Sequence, residues 1–417
     1  MINKTTIQTF LSRFLILILN FGLVIYSTNM WGSEGKGVIS IITADLAIIG
    51  FFSNIFVGGS ISYFSSKFRT EQLLLYAYLW AIVVGITIPV VVSFSHSSEY
   101  TVYLVILSVL SALLSANINV FVGKQNIRTF NLYTILQFAL HFIFILAMVY
   151  LLKMVSVEIY FLAQIMCFLV LFLASSFQLL KNIKISGISF SKNIRNKIFD
   201  YGWKSQLSAF FHFLNNRLSF YFLEFFKGIS SVGIYSVGVA FSEAIWTVSR
   251  SLALVLYADV INSKSADESI MKTKTSLKIS FLITFLFMIL VLVFPPELYT
   301  MIFGKDFGQT KKIILLLSPG ILAMAVSNII GFYFAGINKL RILNIKSIAG
   351  LVFTVSASFY FIPKWGIAGA CIVTSVSHCI SSAILFWQFY RITDFRIQDF
   401  LVSKQEIQLL LQKFKNR

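Results

Sequence analysis

Apolar residues in this chain come in unbroken runs of about 20, with no strict alternation of apolar and polar positions. A helix of that length crosses the hydrocarbon core of a bilayer, and in lipid only helices and closed barrels satisfy their own backbone groups. The runs predict twelve helices, over 8–29, 38–62, 73–95, 100–122, 130–151, 158–180, 201–226, 233–257, 277–295, 312–336, 343–362 and 366–390. The gaps are short. The longest on the side away from the termini covers about 296–311, too little for a separate domain there.

Composition agrees with this pattern. The chain has 417 residues, 58% of them hydrophobic and 12% charged, with a mean hydropathy of +0.84; soluble domains carry about 25% charged residues. The predicted fold class is therefore an all-α polytopic membrane protein. Most of the 34 Lys and Arg residues fall in the gaps on the side of the termini, which predicts that both termini are cytoplasmic. The net charge of +18 then reflects topology and contact with anionic lipid heads, so no nucleic-acid partner is expected. The opening MINKTTIQTFLSRFLILILNFG has a basic end and an apolar run, but no small-x-small cleavage site follows, so it reads as the first span. Cys167, Cys371 and Cys379 lie inside apolar runs, and neither a disulfide framework nor a metal or cofactor motif is present.

The two halves repeat. Gly37-Val-Ile-Ser40 opens the second run and Gly233-Ile-Tyr-Ser236 the eighth. GKQNIRTFN (Gly123, Arg128, Asn131) follows the fourth run, and GINKLRILN (Gly336, Arg341, Asn344) follows the tenth. A direct repeat with an even number of spans predicts two six-helix lobes related by an axis along the membrane normal. The expected organisation is a first lobe over 1–180, a basic linker over 181–200, a second lobe over 201–391 and an amphipathic cytoplasmic tail over 392–417.

Polar residues inside the runs mark the candidate chemistry, because a charge at the bilayer centre costs about 2.5–3.5 kcal/mol on insertion scales. The stretch 201–250 is the richest, with Lys204, His212, Asn215, Asn216, Arg217, Glu224, Glu243 and Arg250. On a helical wheel Gln206, Arg217 and Glu224 share one side, while Lys204, Ser208, His212, Asn215 and Ser219 share another, which predicts a helix inside a bundle. Arg217 either meets an anionic head group, for which its planar fork suits phosphate, or pairs internally with Glu224, Asp45 or Glu243. Lys204, Asn216, Arg250 and Arg13 complete the candidates for a head group. Asp45, Glu243 and Glu224 are candidates for taking up a proton or Na⁺, or for neutralising an arginine. His141, His212 and His378, near the centres of their runs, read as helix–helix hydrogen-bond partners first. The serine-rich faces around Ser108 and around Ser377 read as packing faces first. Pro319-Gly320 predicts a kink or hinge in the tenth run.

Several pieces of the second half, in order, resemble the polysaccharide flippases: Tyr201-Gly-Trp-Lys204, the Asn216-Arg217 region, Val232-Gly-Ile-Tyr-Ser236, Ile302-Phe-Gly-Lys-Asp-Phe307, Ala335-Gly-Ile-Asn-Lys339 and Ile362-Pro-Lys-Trp-Gly-Ile-Ala-Gly-Ala370. These are the Wzx-type O-antigen and exopolysaccharide translocases of the multidrug/oligosaccharidyl-lipid/polysaccharide exporter superfamily. The resemblance implies a two-lobed, twelve-helix fold like that of the multidrug (MATE) exporters, in the bacterial cytoplasmic (inner) membrane. It implies that an undecaprenyl-pyrophosphate-linked oligosaccharide, a unit of O-antigen, capsule or exopolysaccharide, is moved to the periplasmic leaflet by alternating access. The polymerase and glycosyltransferases of that pathway would be partners, and a cationic cavity would include Arg217. Many relatives carry an Asp two positions after that arginine; this chain has Ser219. A cation-coupled multidrug antiporter of the same superfamily is the alternative. An enzyme is not expected, because no Walker loop, GxSxG or HExxH is present and no long outer loop could hold a catalytic domain.

Overall fold

A computed structural model describes residues 4–93, 98–181, 191–263, 265–393 and 395. They are almost wholly helical. The helices are α1 (Lys4–Val57), α2 (Gly59–Phe64), α3 (Thr70–Ser93), α4 (Thr101–Gly123), α5 (Ile127–Tyr150), α6 (Glu158–Leu180), α7 (Lys192–Lys227), α8 (Ile229–Ile261), α9 (Ala266–Val293), α10 (Pro296–Phe303), α11 (Thr310–Gly336), α12 (Leu340–Trp365) and α13 (Ile367–Thr393). Among the described residues ten helical stretches are long and apolar enough to cross a membrane. The protein is a multi-pass membrane protein.

Two features account for the difference between ten stretches and twelve predicted runs. Helix α1 covers 8–29 and most of 38–62, the end of which lies in α2, and Gly32 lies inside α1 at φ 62°, ψ −163°. That backbone region is open almost only to glycine, so Gly32 divides α1 into two helical lengths where the sequence predicts a gap over 30–37. Helix α7 covers the predicted run 201–226 but is too polar to qualify by hydropathy. It also starts earlier than expected. Of the predicted linker 181–200, residues 192–200 are the first turns of α7, because Ile194 and Ile198 face the core at helical spacing. The predicted outer gap 296–311 is structured too, carrying α10 and a 3₁₀ turn at Lys305–Phe307. The predicted amphipathic tail lies outside the described residues except at 392, 393 and 395.

The chain forms two compact units, Met1–Phe210 with Ile302–Gly304, and Phe211–Met301 with Lys305–Arg417. Each is built around one central helix. In the first unit α4 packs against α3, α6, α1 and α2; in the second α11 packs against α8, α13 and α9. The sequence repeat falls at the end of these two helices. Both helices close in the same turn. Gln125 and Asn338 are left-handed at φ 58° and 59°. The Asn126 amide donates to Phe121 O at 2.8 Å and the Lys339 amide to Phe334 O at 2.8 Å. This is the 6→1 bond of a Schellman cap, and the inner bonds, Gln125 N to Val122 O and Asn338 N to Ala335 O, complete it. The glycine that ends each helix sits at a close approach. A side chain on Gly123 would meet Ser65 Cβ at 2.6 Å, and one on Gly336 would meet Val260 Cγ1 at 2.7 Å.

Gly202, in the piece Tyr201-Gly-Trp-Lys204, has a packing role. A Cβ there would overlap the backbone carbonyl of Ile55 in α1, while Tyr201 beside it stacks on Tyr63 with ring centroids 4.6 Å apart. Gly202→Val should therefore force α7 off α1 and lower stability by about 1–3 kcal/mol, the usual range for overpacking. A fall in the thermal midpoint of the detergent-purified protein checks this; an unchanged midpoint would show that α7 yields freely at this point.

Candidate functional site

The second unit gathers most of the polar side chains that the sequence singles out. The length of α7 from Phe211 onward presents them in two directions. Toward α8, the Arg217 guanidinium donates to the Glu243 carboxylate in a salt bridge, and its other face lies 5.0 Å from the Phe220 ring. The pair is partly open, with 23% of the Arg217 and 37% of the Glu243 side chain exposed. Of the three acids that the sequence offers as partners for Arg217, the structure selects Glu243. Glu243 is therefore the counter-charge of an arginine before it is anything else.

Toward α12 and α13, α7 is held by side-chain hydrogen bonds. The Thr354 hydroxyl donates to Asn215 Oδ1 at 2.7 Å, and the Ser377 hydroxyl lies 2.8 Å from the same oxygen and 3.0 Å from Gly350 O. One turn on, Ser219 is 3.0 Å and Tyr235 2.8 Å from the Thr374 hydroxyl. All these side chains are buried. The serine-rich face of α13 is thus a polar packing seam, as its spacing predicts. His141 also behaves as expected, its Nε2 lying 3.0 Å from the Tyr160 carbonyl on α6.

Pro319 lies inside α11, where the sequence predicts a kink or hinge. Pro319 has no N–H for the Leu315 carbonyl, and the Ser318 hydroxyl donates to that carbonyl at 2.7 Å. The Gly320 amide donates to Ser375 Oγ at 2.8 Å. A Cβ on Gly320 would lie 2.7 Å from Ser375 Cα. Pro319 and Gly320 thus mark a close α11–α13 contact.

Between α7, α8, α11 and α13 lies a cavity of about 10 Å³, room for one water. Asn216, Glu243, Trp246 and His378 line it. Asn216 Oδ1 and His378 Nδ1 are buried with no protein partner, and Trp246 meets the His378 ring edge-on at 5.7 Å.

Lys346 is the residue that sequence reasoning did not place in the site. Its ammonium donates to Ser327 Oγ at 2.8 Å, and His212 lies within electrostatic reach of Lys346, His378 and Arg250. Among the described residues no carboxylate pairs with Lys346 or with the exposed Arg250. The sequence places Lys346 within the run 343–362 and not in a gap, but its contact with Ser327 exists only once α12 packs beside α11. The first unit holds Lys204, Arg13 and Asp45. Lys204 is 70% exposed and bound to Asp200 at 2.8 Å, one turn back on the same helix; such a surface pair contributes little. Arg13 is exposed and Asp45 buried. Glu224, in the second unit, is half-buried near the end of α7.

No family model matches the chain. It is 28% identical over 182 residues to the capsular polysaccharide biosynthesis protein CapF of Staphylococcus aureus, a stretch spanning 43% of this chain and 43% of that relative. Among solved structures it resembles the lipid II flippase MurJ in an inward closed conformation, with a TM-score of 0.74 at 15% identity over 99% of this chain and 91% of that one. It also resembles a multidrug resistance MATE family transporter of the MOP superfamily. The inward-facing form gives a TM-score of 0.71 at 14% identity over 91% and 94% of the two chains. The outward-facing form gives 0.67 at 14% identity over 93% and 94%. The chain therefore has the fold of these MATE and MurJ structures.

Proposed function

We propose that this chain is a flippase that moves an undecaprenyl-pyrophosphate-linked oligosaccharide, a capsule or related exopolysaccharide unit, from the cytoplasmic to the outer leaflet of the bacterial cytoplasmic membrane. On this reading α1 crosses twice about Gly32 and α7 crosses once, giving twelve crossings with both termini in the cytoplasm. The chain carries no enzymatic activity of its own and works beside the glycosyltransferases and polymerase of the pathway. The observation that carries the reading is the charge balance of the second unit. Arg217 is neutralised by Glu243, yet among the described residues neither Lys346 nor Arg250 has a carboxylate beside it. A half-buried lysine and an exposed arginine left over in this way suit an anionic cargo and repel an organic cation. The partial likeness to a capsular polysaccharide biosynthesis protein and the fold of a lipid II flippase support the same cargo class.

Deletion of the gene in its host tests the proposal. The expected result is loss of a surface polysaccharide with accumulation of its lipid-linked unit, restored by the wild type and not by Lys346→Ala at equal protein level. Unchanged polysaccharide with new sensitivity to organic cations would assign the chain instead to the multidrug antiporters of the same fold.

A further inference from the structure

A second cavity lies wholly within the first unit and belongs to none of the features above. It is an open groove of about 510 Å³ between α3, the end of the Lys4–Val57 helix and the first turns of α7. Its floor is aromatic. Phe56 stands 4.8 Å from Trp80 and 6.2 Å from Phe199, ring centroid to centroid. The open side is aliphatic, with Leu79 47% and Val83 55% exposed. These two residues begin a stripe of exposed apolar side chains along α3 that continues through Ile82, Ile86 and Val90 at helical spacing. The other end of the groove is polar and is formed by Arg195 and Asn196. The α7 turn that carries them is pinned in place, since the Ser191 amide donates to Tyr76 Oη at 2.5 Å and Tyr76 Oη donates to Ser191 O at 3.1 Å.

We propose that this groove is a binding site for one anionic phospholipid of the surrounding bilayer. Its acyl chain lies along Leu79 and Val83 over the aromatic floor, and its phosphate sits on Arg195 and Asn196. The charge pattern selects this occupant. Arg195 has no carboxylate partner among the described residues; its side chain meets only Asn196, at 3.4 Å. One guanidinium and one amide match the single negative charge of a phosphodiester. The exposed Lys192 and Lys197 flank Arg195 in the same two turns, and the acid that follows on α7, Asp200, is taken by Lys204. Such a cluster repels the choline group of a zwitterionic lipid and attracts an anionic head group. A stem of apolar contacts with a cationic end is also the polarity profile of a lipid molecule.

The test uses the full chain in mixed micelles holding phosphatidylglycerol and phosphatidylcholine in equal amounts, with retained lipid counted by native mass spectrometry. The wild type should retain phosphatidylglycerol over phosphatidylcholine by about ten-fold, the scale of one charge-assisted contact to a phosphate. Arg195→Ala should remove that preference. Val83→Trp, which fills the groove, should release both lipids. Arg341→Ala, an exposed arginine of the second unit, should behave as wild type. Equal retention of the two lipids by the wild type, or a preference that survives Arg195→Ala, overturns the proposal. So does displacement of phosphatidylglycerol by equimolar polyprenyl phosphate, which would make the groove a site for polyprenyl chains.

Discussion

Glu243→Gln should destabilise the second unit by about 2–3 kcal/mol, and Arg217→Gln by a similar amount. Breaking a fully buried ion pair from one side costs about 3–5 kcal/mol, because the remaining charge is left without compensation. Here the pair keeps 23% and 37% of its side-chain surface exposed, so the remaining charge is partly solvated and the cost falls below that range. The double variant Arg217→Gln with Glu243→Gln removes both charges and should cost far less than the sum of the singles. A double-mutant cycle on thermal midpoints in nanodiscs measures the coupling. Additive effects would show that the two side chains do not interact in the folded protein.

Asn215→Leu carries the second large effect. Asn215 Oδ1 is the acceptor that ties α7 to α12 through Thr354 and to α13 through Ser377. Interhelical hydrogen bonds in membranes average about 0.6 kcal/mol and reach about 1.7, so the bonds alone do not make this substitution severe. Space does. A Cβ on Gly350 would stand 2.8 Å from Asn215 Nδ2 and would overlap Ser381 Oγ, so the seam is tight around the Asn215 side chain and the bulkier methyl groups of a leucine have little room. Lost bonds and overpacking together should cost about 2–4 kcal/mol. Ser377 can keep its contact with the Gly350 carbonyl at 3.0 Å, so most of the loss should appear as strain between α7 and α12. Asn215→Leu should lower the thermal midpoint more than Thr354→Val, which removes one bond and adds no bulk. The reverse order would place the cost in hydrogen bonding.

The sequence tells most about what depends on a single helix. Long apolar runs are legible because burial in lipid requires them, whatever the neighbours are. The paired GKQNIRTFN and GINKLRILN segments are legible for a similar reason. Their left-handed residue and closing amide bonds are local, so the same letters build the same turn in both units. Gly32 is different. A gap was expected around it, but one glycine in a backbone region that other residues avoid is enough to turn a helix, so no gap is needed. The first turns of α7 were hidden by their own charges, although Ile194 and Ile198 already carried the helical spacing.

The site divides along the same line. That Arg217 needed a partner or a ligand followed from its depth in the run. Which acid answers it did not, because the choice among Asp45, Glu224 and Glu243 depends on how α7 packs against α8. Asn215 was placed on a polar face, yet its role as a two-helix acceptor required α12 and α13 to be in place. Lys346 could have been found by asking which basic residues inside the runs lack an acid one turn away on the same helix.

Reconstitution tests the central claim most directly. Proteoliposomes are loaded on one leaflet with a polyprenyl-pyrophosphate-linked oligosaccharide, and its arrival at the other leaflet is read by a membrane-impermeant sugar-modifying enzyme. The account predicts translocation by the wild type, loss in Lys346→Ala, and partial recovery in Lys346→Arg, which restores a cation of different shape at the same place. Glu243→Gln with Arg217→Gln should retain more transport than Lys346→Ala, because the paired charges cancel and Lys346 does not. If the wild type moves no such lipid but exchanges an organic cation against a proton gradient, the fold stands and the proposed cargo is wrong.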